Sequence, residues 1–373
     1  MDLTQTNPNK IHNDVPVPFF SIVIPVYRLN KDYFDKCINS VLNQTFTDFE
    51  VILVDDGSPD DCGCVCDEYA ENDSRVRVLH QSNSGVSVAR NNGVAASRGK
   101  WILFVDGDDW LEINTLSELS NHLLVCDVDI LHFGAVREYI DQSIKMEYGL
   151  ISHKLYDGND YDDKEKLYRR AMQVPNATRN ALYPSYYCWD KVYKRSFLID
   201  NKVCFPIGIK KSEDKLFILA CLEKVRTYYF INEYLYHYRI NEESVCHSYF
   251  KDIDIDRLKM FEQLVQIATR MNIEIATARN NNYYSAILKD CNIFFFGVIT
   301  DVLVLKYYHP NYPKNKKERR KDALAFLRTE LVNNCISTIK YSDLHSRAAK
   351  IKKFLLGHNM IDLFVTLKKR NTD

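Results

Sequence analysis

Three aspartates end an apolar run in the segment WILFVDGDDWLE, residues 101 to 112. Residues i and i+2 of an extended chain point to the same side, so we expect Asp106 and Asp108 to converge, while Asp109 points elsewhere and stays unassigned. Converging carboxylates are ligands that Mg²⁺ and Mn²⁺ prefer, and Gly107 lets a ligand approach the backbone closely. Solvated turns also carry this pattern, so the segment alone indicates only a candidate cation site.

A second group of polar residues stands between two apolar runs earlier in the chain. Asp55 and Asp56 follow the apolar run Phe49 to Val54. Ser58 comes two residues later and is explained as the cap of the next helix. Gly85 precedes a helical pattern whose first amides could face a phosphate, and Arg90 adds a fixed cation. A cap and a surface helix would explain the same residues, so only their combination favours an anion site.

Glu213 and Asp214 stand directly before the apolar helical stretch Leu216 to Leu222. Acidic residues at a helix start complement the helix dipole, and that role is sufficient in most proteins. A carboxylate that acts as a general base needs the same residue type, but it must also lie in a cleft. The residues alone leave both explanations open.

The elements that must position these groups alternate regularly between strands and helices. Apolar runs predict five strands, at Phe20 to Val26, Phe49 to Val54, Arg75 to Leu79, Trp101 to Val105 and Val128 to Phe133. Apolar strands that alternate with helices indicate a parallel sheet covered on both faces. Ligands bind outside the carboxyl ends of such strands, which is where the acidic clusters fall.

Composition limits the class of protein. The 373 residues are 46% hydrophobic and 27% charged, which is typical of a folded globular chain. No apolar run is long enough for a membrane span and the N-terminus has no secretion-signal pattern, so we expect a cytoplasmic protein. Residues 301 to 373 hold 16 Lys and Arg against 7 Asp and Glu, a net charge of +9 against −10 for the rest. This basic tail is either a contact for an anionic surface or a solvated helical face.

Taken in order, these motifs resemble family-2 glycosyltransferases of the A-type fold, the group that builds bacterial capsular, exopolysaccharide and lipopolysaccharide chains. Six segments between about residues 19 and 245 carry the resemblance: SIVIPVY (21–27), VILVDDGSPD (51–60), QSNSGVSVARNNGVAASRGKWILFVDGDDW (81–110), CWDKVYKRSFL (188–198), SEDKLF (212–217) and YHYRINEESV (236–245). The resemblance implies an α/β nucleotide-diphospho-sugar transferase fold, with a mostly parallel central sheet, helices on both faces and a C-terminal helical extension.

The resemblance also implies a site for a UDP-sugar and Mn²⁺ or Mg²⁺. It assigns Asp214 as the general base and Asp108 as a metal ligand, with His237 as a further metal contact. The residues implied for nucleotide-sugar binding are Pro25, Tyr27, Asp56, Asn83, Arg90, Asp106 and Arg239, with Asp56 accepting from the uracil ring. The residues implied for the acceptor side are Trp189, Asp190, Lys191 and Glu213.

The implied domain organisation has three parts. A polar lead-in covers residues 1–18, the glycosyltransferase domain covers 19–250, and a helical, basic extension covers 251–373. The glycosyltransferase domain divides into a nucleotide-binding half, 19–135, and an acceptor-binding half, 136–250.

The implied reaction is an inverting transfer of a hexose or N-acetylhexosamine to a saccharide acceptor, expected to be lipid-linked, in cell-surface polysaccharide synthesis. We expect peripheral contact with anionic membrane at the inner face of the plasma membrane and no nucleic-acid partner. The alternative is a non-catalytic nucleotide-sugar-binding or scaffolding subunit of a polysaccharide assembly complex, against which the joint presence of Asp108 and Asp214 argues. A Rossmann-type dehydrogenase is excluded because no G-x-G-x-x-G follows the first strand.

Overall fold

The computed structural model describes residues 17–172, 182–183, 185–240, 250–278, 286–344 and 346–369. The predicted lead-in lies outside these ranges except for residues 17 and 18, and so do residues 241–245 of the last family segment. The described residues form an α/β structure followed by consecutive helices.

Ten strands of the described residues belong to one sheet. They are β1 Phe20–Val26, β2 Phe49–Asp55, β3 Val76–His80, β4 Trp101–Phe104, β5 Trp110–Leu111, β6 Ile130–Glu138, β7 Ser143–Lys145, β8 Lys154–Asp157, β9 Lys191–Lys194 and β10 Thr227–Arg239. The order across the sheet is β3-β2-β1-β4-β9-β6-β10-β5, with β7 on β6 and β8 on β10.

The sheet is mostly parallel, as the sequence predicts. Strands β1 to β4 pair in parallel, and so do β6 and β10. The remaining strands are antiparallel to their neighbours, and one of them, β9, enters between β4 and β6. Two parallel groups are therefore joined through a single reversed strand.

The predicted strands match the observed ones, and most of them are buried, although β3 is buried only at Val76. All seven residues of β2 are buried, and β1 is buried except for Pro25, which is partly exposed at its carboxyl end. Strand β6 begins two residues later than the sequence predicts and runs on to Glu138, because it continues to pair with β10.

Helices surround the sheet and then continue after it. Those interleaved with the strands are α1 Lys31–Leu42, α2 Cys62–Asn72, α3 Val86–Ala96, α4 Thr115–Val125, α5 Tyr161–Met172, α6 Arg195–Asp200 and α7 Glu213–Lys224. Those that follow β10 are α8 Ile253–Ala278, α9 Ala286–Val302, α10 Lys316–Leu327, α11 Glu330–Thr338, α12 Arg347–Gly357 and α13 Ile361–Lys369. Asn30 caps α1 by accepting from the backbone amides of Asp32 and Tyr33.

The later helices share the hydrophobic core of the sheet. One continuous cluster of buried apolar residues includes side chains of the strands and of α8 to α13. Phe261 of α8 and Phe295 of α9 stack with their ring centroids 3.5 Å apart, and Lys164 of α5 contacts Glu274 of α8 at 2.7 Å. Within the part of the chain that the structure describes, no helix has the length and apolarity to cross a membrane.

Candidate active site

The carboxyl ends of β1, β2 and β4 open into a cleft of about 380 Å³. The loop before α3 and the first turns of that helix form its other wall. Seven of the residues predicted to bind donor or metal line this cleft: Pro25, Tyr27, Asp56, Asn83, Arg90, Asp106 and Asp108. The parallel strands therefore bring together residues that are up to 83 positions apart in the sequence.

Asp56 holds the wall of the cleft in place. Its Oδ1 accepts from Gln81 Nε2 and from the amide of Ser84, both at 2.7 Å, and its Oδ2 accepts from the amide of Gly85 at 2.8 Å. Gly57 has a φ of 66°, which an L side chain rarely adopts, and this turn lets the chain leave β2 sharply. Oδ2 retains acceptor capacity toward a ligand, and contact with a uracil ring stays a prediction.

Arg90 joins two groups of carboxylates across the cleft. Its guanidinium donates to Asp106 Oδ1 and to Asp214 Oδ1, each at 2.7 Å, and Glu213 Oε1 lies 3.5 Å away. Burial opposes the charge, but these carboxylates outweigh burial and raise the pKa of Arg90 well above its ordinary value. Its Nε is buried without a hydrogen-bond partner among the described residues. Arg90 therefore stays cationic and retains one unused donor.

The DGDD turn after β4 is tightly packed. A Cβ on Gly107 would lie 2.3 Å from Leu29 Cδ1, so a larger residue here would force the Leu29 side chain to move. Asp109 is buried and accepts from the Tyr236 hydroxyl at 2.7 Å and from the amide of Arg239 at 2.8 Å. The Tyr236 oxygen in turn accepts from the amide of Asp106 at 3.1 Å. Asp109 thus anchors the turn to β10 while Asp106 and Asp108 face the cleft.

Glu213 and Asp214 begin α7 beside the cleft. Ser212 before them has a φ of 68°, which turns the chain so that both acids meet Arg90. Burial raises the pKa of Glu213 to about 7, and the charge of Asp214 adds to this effect. Burial also raises the pKa of Asp214, while Arg90 opposes the rise. Both acids therefore bind a proton more readily than ordinary carboxylates do.

Comparison with known proteins decides the family. The Glycosyl transferase family 2 profile matches residues 21–179. The glycosyltransferase GlyG of Streptococcus pneumoniae is 31% identical over 235 residues, which are 62% of this chain and 73% of GlyG. The chain belongs to glycosyltransferase family 2. A second relative, the glycosyltransferase EpsJ of Bacillus subtilis, is 27% identical over 311 residues, which are 83% of this chain and 84% of EpsJ.

A solved structure extends the family likeness to the whole fold. Residues 1–349 of Staphylococcus aureus TarS, in complex with UDP-GlcNAc, match with a TM-score of 0.60 over 95% of this chain and 91% of that chain. The two sequences are 18% identical, so the likeness concerns the fold alone. It confirms the A-type glycosyltransferase fold, including helices after the sheet.

The family segment CWDKVYKRSFL lies deeper than the sequence predicts. Asp190 and Lys191 have no exposed surface, and Lys191 Nζ donates to Asp190 Oδ1 at 2.5 Å and to the Tyr187 carbonyl at 2.8 Å. Trp189 is only 2% exposed and stacks on Tyr236 with ring centroids 4.4 Å apart. The assignment of Asp190 and Lys191 to the acceptor side stays a prediction, and in this structure the two side chains form an internal ion pair.

The predicted metal contact of His237 stays a prediction, and both of its ring nitrogens have other partners in this structure. Its Nδ1 lies 2.7 Å from Glu138 and its Nε2 lies 2.8 Å from Glu112, so both ring nitrogens already have carboxylate partners. The imidazole also stacks on Trp110, with centroids 5.0 Å apart and planes 4° apart. Arg239, two residues on, donates from Nε to the Asp108 carbonyl at 2.9 Å and therefore lies behind the DGDD turn.

Asp106 and Asp108 have the chemistry of a divalent-cation site. Burial raises the pKa of Asp108 to about 6, and the neighbouring charge of Asp106 contributes, so a cation between them would relieve this repulsion. The described residues contain no group of three or more His, Cys, Asp or Glu side chains arranged for a metal. A cation here would complete its shell with phosphate and water oxygens, which is typical of Mg²⁺.

Sequence reasoning missed Tyr236 and left Asp109 unassigned. Both belong to quoted family segments, so the motifs contain a signal for them. Their contact joins residues 127 positions apart, and only the antiparallel pairing of β10 with β5 brings them together.

Proposed function

We propose that this family-2 protein transfers a hexose or N-acetylhexosamine from a UDP-sugar to a saccharide acceptor, with inversion at the anomeric carbon. The observation that carries the proposal is the position of Arg90, whose guanidinium contacts both Asp106 and Asp214 at 2.7 Å. One side chain thus connects the proposed diphosphate end of the cleft with the proposed general base.

The cleft supports a nucleotide donor through its shape and its donors. The Pro25 to Tyr27 segment and Asp56 form the end assigned to the base, and the first turn of α3 borders the same space. Helix N-termini and an arginine fork favour phosphate oxygens. Asn83 and Arg90 are therefore proposed on the diphosphate side, with Asp106 near the ribose.

The reaction is a single displacement in this proposal. Asp214 takes the proton of the acceptor hydroxyl, and that oxygen forms a bond to the anomeric carbon from the face opposite to UDP. The bond between the anomeric carbon and the diphosphate oxygen breaks, and UDP leaves with the electron pair. An α-linked donor then gives a β-linked product. The raised pKa of Asp214 suits proton acceptance, and Arg90 limits the rise so that the carboxylate stays available.

Mn²⁺ or Mg²⁺ is proposed at Asp108, where it would neutralise charge that develops on the leaving diphosphate. Asp106 lies beside it, and Arg90 supplies a cation of the chain itself. The pKa of Arg90, raised well above its ordinary value, keeps this cation charged beside the proposed diphosphate.

The acceptor is proposed to be lipid-linked and the pathway to be cell-surface polysaccharide synthesis. Both proposals rest on the family segments and on the positive charge of residues 301–373. They place the protein peripherally at the inner face of the plasma membrane, where anionic lipid attracts basic segments.

The decisive experiment measures UDP release from a panel of UDP-hexoses and UDP-N-acetylhexosamines, with Mn²⁺, with Mg²⁺ and with excess chelator. We expect release from one donor class only when a divalent ion is present, and its loss in Asp214→Asn. UDP binding by calorimetry without release from any donor would instead support a non-catalytic subunit. Full activity in excess chelator would remove the metal from the proposal.

A further inference from the structure

Helices α12 and α13 and the short connection between them expose large apolar side chains at five positions. We call these the α12–α13 surface: Ile351, Phe354, Met360, Leu363 and Leu367. Eighteen large apolar side chains are exposed in the described residues. Five of them, more than a quarter, lie within the 17 positions from 351 to 367. Scattered exposed apolar residues are ordinary, but a concentration of this kind indicates a contact surface.

The exposure does not come from loose docking of the helices. Ile351 and Phe354 are one turn apart on α12, whose Leu355 and Leu356 are buried. On α13, Leu363 and Leu367 are one turn apart on the face opposite to the buried residues Ile361, Phe364 and Val365.

Polar contacts also fix both helices to the body of the protein. Asp362 of α13 accepts from the Tyr308 hydroxyl at 2.7 Å, and Lys353 of α12 donates to the Ile336 carbonyl at 2.8 Å. The exposed apolar side chains are therefore presented by a fixed scaffold.

Basic residues accompany this apolar surface. Residues 347–369 contain six Lys and Arg and one Asp. Arg347 and Lys350 are exposed on α12 beside Ile351. Arg320 of the basic helix α10 contacts Asp362 at 3.2 Å and so offsets the one acidic charge of α13. Apolar side chains with basic neighbours complement an anionic lipid surface, because the former enter the headgroup boundary while the latter meet the lipid phosphates.

We infer that the α12–α13 surface docks the protein on an anionic lipid bilayer. A second copy of the chain would cover the apolar side chains equally well, but it would bring two clusters of like charge together. A bilayer accounts for both the apolar and the basic residues. The inference deepens the proposed function, on which it rests for the membrane location of the acceptor.

Flotation of the full chain with vesicles tests this assignment. The vesicles contain phosphatidylglycerol with phosphatidylcholine, or phosphatidylcholine alone. We expect wild type to bind the anionic vesicles, and Ile351→Ser/Phe354→Ser to lower the partition coefficient about tenfold. Arg347→Glu/Lys350→Glu should lower it by a similar factor. The matched control is Leu124→Ser/Val125→Ser, which removes two exposed apolar side chains of α4 and should bind as wild type.

Several outcomes would overturn the inference. One is equal flotation of wild type and both α12 variants at unchanged thermal unfolding. Another is a wild-type dimer in sedimentation that the Ser variants convert to monomer without any vesicle binding, since the surface would then join two copies. UDP release measured on the same preparations separates the two proposals. If the α12 variants lose flotation and wild type releases no UDP, the membrane-docking inference is supported and the proposed function is contradicted.

Discussion

Two clusters of opposite charges in this protein have similar composition and different surroundings. The cleft cluster consists of Arg90, Asp106, Glu213 and Asp214, whose carboxylates are 15% to 27% exposed. The buried cluster consists of His132, Asp190 and Lys191, none of which is exposed.

The comparison shows that burial and accessibility separate a site from a structural ion pair when the residue types do not. In the cleft three carboxylates share one cation, and two of them have raised pKa values. In the buried cluster one carboxylate faces two basic groups. Burial opposes its charge, but Lys191 and His132 outweigh burial and lower the pKa of Asp190. The first arrangement can take up a proton or a ligand, whereas the second is internally balanced.

The largest expected difference between the clusters is catalytic. Asp214→Asn should lower the rate of transfer about 10³-fold, because the amide cannot accept the acceptor proton. UDP affinity and the free energy of unfolding should stay close to those of wild type. Steady-state UDP release, calorimetry and urea unfolding measure the three quantities. A variant with wild-type turnover would exclude Asp214 as the base.

The same substitution in the buried cluster should affect stability. Asp190→Asn leaves Lys191 buried without its counter-charge, and we expect the free energy of unfolding to fall by about 3–5 kcal/mol. Urea unfolding of this variant and of Asp214→Asn, run in parallel, provides the comparison. Equal stability of the two variants would mean that the buried pair is not structural.

The pH dependence of stability should also come from the buried cluster. Burial lowers the pKa of His132 to about 4, against 6.5 for an ordinary histidine. Below pH 6.5 the unfolded chain binds a proton that the folded chain does not. The free energy of unfolding should therefore fall by up to about 3 kcal/mol between pH 6.5 and pH 4.

His132→Asn is the matched variant for this pH series, because its amide oxygen can accept from the Tyr228 hydroxyl, which lies 2.8 Å from His132 Nδ1. Its unfolding should show a shallower pH slope over the same interval. Identical slopes in the two proteins would refute a neutral His132.

The smallest effect should come from Tyr236, which contacts Asp106 of the cleft cluster and Trp189, the sequence neighbour of the buried Asp190. Tyr236 stacks on Trp189 and bonds to Asp109 and the Asp106 amide, so Tyr236→Phe keeps the stack and removes only the hydroxyl. We expect a loss of about 1–2 kcal/mol in stability, since the buried Asp109 loses a donor. KM for the donor should rise more than kcat falls. A lowered kcat with an unchanged KM would contradict a positioning role toward Asp106.

Much of the fold and of the cleft can be predicted from the sequence because the signals are local. Apolar runs predict β1, β2 and β4, and parallel strands must bring their carboxyl ends to one edge, where Asp56, Asp106 and Asp108 lie. The family segments add Arg90 and Asp214, and the structure joins them through one guanidinium.

The remaining features depend on pairings between distant residues. The CWDK segment does not predict that Asp190 and Lys191 are buried, because charged residues are usually exposed. Their burial depends on the ion pair, on the neighbouring His132 and on the surrounding sheet. The role of His237 is hidden in the same way, since its carboxylate partners lie about 100 and 125 residues away. The sequence of β9 has neither a helical pattern nor the apolar run of a buried parallel strand. Its place in the sheet is known only from its antiparallel pairing with β4 and β6.

The position of β9 has a consequence for biosynthesis. Residues 191–194 separate β4 from β6, so a nascent chain that ends before them has two incomplete sheets with unpaired edges. Such edges pair readily with other chains. The DGDD turn comes early in the chain, but its hydrogen bond with the Tyr236 hydroxyl can form only after about two-thirds of the chain has been made.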